Sequence, residues 1–335
     1  MTPPPPAPPP QPYRWALSRA RGGAPPDRLG TLTEGAARPR LWFLPELTVC
    51  AGEVLARSGG ADLCFVGRSL DSMYDLLTGA FEGSSREGSL LRLPLSLRLR
   101  PVPPPAHTAR LREHLAAAGL APHALARRTR PVALVDLVSG GSTYDALFAA
   151  LADWVRESRE PWPVIRRKLR FVGVTARRRT SPNTWRWQQN TAGDWARSLP
   201  SGHVAGVSLH PVVWSYFGDS QPKLQPSFPP PRWFDAYAAE PWRGPDLPAA
   251  LAESLALVEA GRGRAVRGEL VRVIAGEPGF ADREVRALVA PLRGLAPTGS
   301  RARSRARGGS RARAGAPQRS LPRASMTGRS RSSSA

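Results

Sequence analysis

Between the apolar run Val132-Ala133-Leu134-Val135 and a stretch with helical spacing stands Asp136-Leu137-Val138-Ser139-Gly140-Gly141-Ser142-Thr143. Small residues in a turn let several backbone N–H groups converge on one anion. A helix starting there adds a favourable dipole, and serine and threonine hydroxyls add donors. An aspartate just upstream repels phosphate, so Asp136 suits sugar hydroxyls or a metal ion. Together these residue types describe a sugar-phosphate site. The segment lacks the Gly-Lys-Ser/Thr ending of a Walker loop, and the chain contains no GxGxxG fingerprint. The plain alternative is a βα turn whose helix is capped by Ser142 or Thr143.

A second loop, Gly67-Arg68-Ser69, lies about 70 residues earlier, after the apolar run Asp62-Leu63-Cys64-Phe65-Val66. Glycine permits close backbone approach, and Arg68 offers a planar fork that matches phosphate oxygens. By itself this is a solvated turn with a helix N-cap at Ser69. Coupled to the Asp136 loop, it becomes the second half of a diphosphate clamp.

Other groupings are weaker. Asn183–Gln189 and Trp195 form an aromatic and amide-rich stretch that either stacks a base or pins its tryptophans onto the core. Trp214, Tyr216, Trp233, Phe234 and Tyr237 read as one packing cluster. Gly218-Asp219-Ser220 is similar to a hydrolase nucleophile block, but the distant Asp-x-x-His partner is missing. The five histidines (107, 114, 123, 203 and 210) show no metal-ligand spacing, and no direct metal ligand is assigned.

The elements that must position these loops follow from periodicity. Leu44, Leu47, Cys50, Ala51, Val54 and Leu55 recur at helical spacing and stop at Gly59-Gly60. A buried strand is expected at Asp62–Val66, then a helix carrying Leu70, Met73, Tyr74 and Leu77. Leu90–Arg100 alternates as a strand interrupted at Pro94. Helices over 108–118 and 122–127 precede the strand Pro131–Val138 and the helix Tyr144–Glu157. Strands follow at Leu169–Val174 and Val204–Leu209, and helical patterns fill the chain beyond Pro248. This alternation predicts an α/β fold with a mainly parallel sheet and helices on both faces, which binds ligands beyond the carboxyl ends of its strands.

An apolar strand, an acid, two apolar residues and a small Ser/Gly loop ending in Thr resemble the phosphoribosyl-pyrophosphate (PRPP) motif of type I phosphoribosyltransferases. The resemblance covers roughly residues 41–210. It implies that Asp136 contacts the ribose, that Ser139, Gly140, Gly141, Ser142 and Thr143 wrap the 5′-phosphate, and that Gly67, Arg68 and Ser69 hold pyrophosphate. It further implies Mg²⁺ carried with PRPP, a mobile lid at Glu82–Arg92 and a sheet of phosphoribosyltransferase type. One departure stands out: the family carries two adjacent acids, and the first is Val135 here. From the resemblance, the expected function is binding of PRPP or a related ribose phosphate and, if the site is active, transfer of phosphoribosyl to an unidentified acceptor with release of pyrophosphate. The alternatives are a non-catalytic PRPP or nucleotide sensor, or a hydrolase of a ribose phosphate.

The balance of 48 Lys plus Arg against 26 Asp plus Glu gives a net charge of +22, with only Lys168 and Lys223 as lysines. Ten arginines and no acid lie between Arg301 and Arg331. Such a tract cannot bury enough apolar surface to order itself, and it suits weak binding to nucleic-acid phosphate backbones or an acidic partner through charge alone, as in a nucleic-acid-associated regulatory protein. Equally, arginine with almost no lysine is what a GC-rich coding sequence produces. Four segments are expected: a disordered Pro/Arg-rich stretch over 1–38, the α/β domain over 39–245, a helical region over 246–295 and a disordered tail over 296–335. Cys50 and Cys64 sit in apolar runs as free thiols, which fits a reducing compartment. No run reaches the roughly 18 apolar residues of a membrane span. These features predict a cytoplasmic protein that binds PRPP or another ribose phosphate, pairs as a homodimer and contacts no membrane.

Overall fold

The computed structural model describes residues 9–19, 25–97, 104–177, 187–189, 191 and 194–294. Five strands, β1 (Asp62–Val66), β2 (Leu90–Leu93), β3 (Val132–Leu137), β4 (Leu169–Ala176) and β5 (Val204–Leu209), form one parallel sheet in the order β2-β1-β3-β4-β5. Cys64 lies beside Leu91 and Leu134, and Asp136 beside Gly173. β1 is buried along its whole length, as a strand covered on both faces must be.

Residues alternate between the two faces. Leu63, Phe65, Ala133, Val135, Val172 and Val174 pack with helices α1 (Leu44–Arg57) and α2 (Asp71–Phe81). Cys64, Val66, Val132, Leu134, Leu169 and Phe171 pack with α3 (Pro105–Ala117), α4 (Pro122–Arg127) and α5 (Ser142–Glu157). The result is a three-layer α/β/α sandwich. Two later helices, α6 (Leu247–Arg262) and α7 (Arg264–Gly276), lie on α2 and α1. The contacts are close enough that a Cβ on Gly79 or Gly261 would strike the backbone of Val258 or Leu76. No described helix is long and apolar enough to cross a membrane.

From β1 the chain moves outward to β2 on one side, and from β3 through β4 to β5 on the other. The direction therefore reverses between β1 and β3, which opens a crevice at their carboxyl ends.

Three expectations need adjustment. β2 ends at Leu93 because Pro94 has no N–H to continue the ladder, and residues 98–103 lie outside the described set. The segment Glu82–Ser89 joins the end of α2 to the start of β2, so it sits at the amino ends of the strands. There Arg86 donates to the Gly60 carbonyl (2.9 Å), and no lid over the crevice can form from it. Finally, residues 9–19 are packed: Trp15 and Leu17 are buried with Leu247, Leu251 and Val258. The expectation that 1–38 lacks structure does not hold over that stretch, while 1–8, 20–24 and the tail from 295 fall outside the described residues.

Candidate functional site

The crevice is a cleft of about 530 Å³, and Gly67, Arg68, Ser69, Asp136 and Ser139–Thr143 all line it. Its volume lies within the range of about 300–1,000 Å³ typical of small-molecule sites. The two loops picked out above, on neighbouring strands, thus face one space.

Gly67 turns the chain out of β1 with φ +69°, and a side chain there would sit 3.3 Å from the Leu95 carbonyl. Its N–H donates to the Leu93 carbonyl (2.8 Å), which ties the loop to the end of β2. Arg68 donates through Nη1 to the Gln225 carbonyl (2.9 Å), and burial pushes its pKa down. Among the described residues Arg68 has no ion-pair partner, so its charge is left for the cleft. Behind the loop, Lys223 Nζ donates to the Ser69 carbonyl (3.3 Å) and to Gln221 (2.6 Å), with its pKa lowered to about 8 by burial.

The second loop starts at Val138, which closes β3 with an N–H bond to the Val174 carbonyl (2.8 Å). Gly141 has φ +91°, and a Cβ on it would meet the Trp187 ring at 3.1 Å. Tyr144 is anchored beneath the sheet end, its hydroxyl directed at the carbonyls of Leu134 (3.0 Å) and Val172 (2.9 Å). No side chain caps α5: its N-cap is Gly141, and neither Ser142 nor Thr143 turns back to the helix. α2 likewise starts without a side-chain cap, so Ser69 is not one. The capped-turn alternative fails for both loops. The first N–H groups of a helix lack intrahelical partners, and at α5 they are left free to meet an anion.

Asp136 sits at the end of β3, only 8% exposed. Its Oδ1 accepts from the Leu137 N–H (2.7 Å), and among the described residues it pairs with no cation. Burial pushes its pKa up to about 8, against the smaller downward pull of that N–H. A carboxyl in this state can accept from hydroxyl groups or pair with a cation. Val135, by contrast, is fully buried in the opposite core layer, packed among Phe65 and Val172.

Residues not singled out for the site complete the cleft: Pro94–Leu97 after β2, Trp214, and Gln225–Phe228. Their sequence carried no motif. Only the rule that loops after successive parallel strands share one edge would have found Pro94–Leu97. Asp219 also lines the cleft, but in a turn of π-helix where it accepts from Ser215 (3.2 Å), and no histidine joins it. A hydrolase triad is therefore not assembled. Trp187 and Trp195 are core residues: Trp187 fills a notch at Gly173 and Gly206 and donates to the Ala205 carbonyl (3.2 Å), and Trp195 stacks on Phe148 at 4.8 Å. Residues 183–186 lie outside the described set. Comparisons of the chain with protein-family models, with curated proteins and with solved structures give no match.

Proposed function

We propose that this chain binds PRPP, or a closely related ribose phosphate, in the cleft between β1 and β3. One observation carries the reading: two loops independently suited to phosphate line one cleft together with a buried carboxyl that, among the described residues, pairs with no cation. In this reading Ser139–Thr143 and the start of α5 hold the 5′-phosphate. Asp136 accepts from the ribose hydroxyls, and Arg68 with the Gly67 and Ser69 backbone holds the diphosphate. The fold is then a variant of the phosphoribosyltransferase type.

Mg²⁺ would enter with PRPP, held by the oxygens of its diphosphate. Transfer would break the bond from C1 to the diphosphate oxygen, leave positive charge on the ribose, and end with acceptor attack at C1. In this reading Asp136 faces the ribose, where its negative charge, when ionised, would stabilise that state.

A second reading, a sensor that binds without turnover, draws support from Val135. Its position in the closed core removes the first of the two acids from the site altogether. Calorimetric titration of PRPP with Mg²⁺ into the full chain, beside Asp136→Ala, tests the binding. Pyrophosphate release in the presence of candidate acceptors separates the two readings. Saturable heat that the variant loses is the expected result, and equal heat or none from both folded proteins would remove the site.

A further inference from the structure

The face of α2 behind the Gly67–Ser69 loop carries a buried set of charges. Asp71, the first residue of α2, and Asp75, one turn on, both receive the Arg14 guanidinium. Nη1 lies 2.9 Å from Asp71 Oδ2, and Nη2 pairs with Asp75 Oδ1. Arg92 of β2 approaches Asp71 from the other side at 3.6 Å. The two guanidinium groups lie 5.4 and 5.7 Å from the Tyr74 ring centroid. None of the four charged side chains is more than 13% exposed. Within the cluster two guanidinium groups face two carboxylates in a medium that screens them weakly, and the Arg68 and Lys223 charges also act on Asp71.

This arrangement bears on the cleft through Asp71. Its N–H donates to the Arg68 carbonyl (3.3 Å), so the carboxylate stands at the root of the loop. An acid at a helix start would by itself cancel the positive end of α2 and repel an anion placed there. Arg14 comes from outside the α/β layers, on the stretch that Trp15 and Leu17 fasten to α6. Further along, the Arg19 N–H donates to Glu82 (2.9 Å), which also pairs with Arg262 of α6.

We propose that Arg14 is a positioning residue for diphosphate binding: by neutralising Asp71 and Asp75 it leaves the Gly67–Ser69 loop and the start of α2 attractive to a dianionic or trianionic diphosphate. The proposal rests on the reading of that loop as the diphosphate half of the site. It makes the N-terminal stretch 13–17 part of the binding apparatus, although no residue of that stretch lines the main cleft.

The test is the affinity of the full chain for pyrophosphate with Mg²⁺ and, separately, for ribose 5-phosphate, measured by calorimetry at two salt concentrations. Arg14→Ala removes the one cation that contacts both carboxylates and leaves Arg92 as the remaining ion-pair partner in the cluster, and should weaken pyrophosphate roughly tenfold or more while ribose 5-phosphate changes less than about twofold. Arg14→Ala combined with Asp75→Asn restores the balance and should recover most of the loss. A role in packing alone would show no such recovery. Asp75→Asn by itself keeps the shape, leaves one net positive charge, and should tighten pyrophosphate a few-fold, which also covers the case where Arg14→Ala fails to fold. Unchanged pyrophosphate affinity in Asp75→Asn, or no recovery in the double variant, overturns the proposal while leaving the site intact. Wild-type protein that binds ribose 5-phosphate but no pyrophosphate overturns the proposal together with the diphosphate half of the site.

Discussion

Asp136→Asn isolates the cost of holding one carboxyl in the cleft wall. Asparagine keeps the shape, and its Oδ1 can still accept from the Leu137 N–H. In the folded chain burial raises the Asp136 pKa from an ordinary 3.8 to about 8. The native state therefore holds a proton that the unfolded state gives up, so wild-type stability falls as pH rises through this window. At about 1.4 kcal/mol per pH unit the full penalty reaches about 6 kcal/mol, with roughly 4 kcal/mol of it between pH 5 and pH 8. Below about pH 4 both states are protonated and the term vanishes. Urea unfolding of wild type and Asp136→Asn at pH 5, 6, 7 and 8 measures it. All other titrations are common to both proteins and cancel in the difference. The variant should gain on the wild type steadily with pH, by several kcal/mol at pH 8. A difference flat within about 0.5 kcal/mol would show an ordinary, hydrated carboxylate and refute the reasoning. Ribose hydroxyls donating to Asp136 favour its ionised form, so ligand binding at pH 7 should release close to one proton. That release reads out as a binding heat that varies with the ionisation enthalpy of the buffer.

Other outcomes follow from the same geometry. Arg68→Ala should weaken pyrophosphate at least tenfold in a filter or calorimetric assay, with a smaller salt dependence left behind, since the residue has no internal ion pair to lose. Gly141→Ala places a Cβ at positive φ against Trp187, and should cost about 1–3 kcal/mol in chemical denaturation and also reduce ribose 5-phosphate affinity. Gly173→Ala drives a methyl to 2.5 Å from Trp187 Nε1, and should destabilise by about 1–3 kcal/mol without touching a cleft residue. Cys50 and Cys64 are buried, with thiol pKa values pushed up by burial, that of Cys64 to about 12; both should resist a thiol reagent at pH 8 until urea unfolds the chain.

The parts of this molecule that local rules govern were legible. Strand and helix positions came from apolar spacing, because a strand covered on both faces must be apolar throughout and the amphipathic helices α1 and α5 must show a 3.6-residue stripe. The two loops were legible as strand-end turns from their glycines and serines, and their meeting in one cleft follows from β1 and β3 being neighbours. What stayed hidden depends on contacts far apart in the chain. Arg14 is separated from Asp71 by 57 residues, and Arg68 from Gln225 by 157, and no spacing rule connects them. Composition was misleading at the N-terminus: a proline- and arginine-rich stretch looks unable to build a core, yet Trp15 and Leu17 need none of their own, since α6 supplies the apolar partner. The lid was misplaced for a topological reason. In a parallel sheet a helix returns the chain to the amino ends of the strands, so the segment after α2 must lie away from the cleft, while the segment after β2 must lie on it. The same logic gives Val135 its meaning. Adjacent residues of a strand point to opposite faces, so with Asp136 turned toward α5 the preceding position is committed to the core under α1 and α2. A second acid there would have to be buried in an apolar layer, so of the two adjacent positions only Asp136 can present a carboxyl to the cleft.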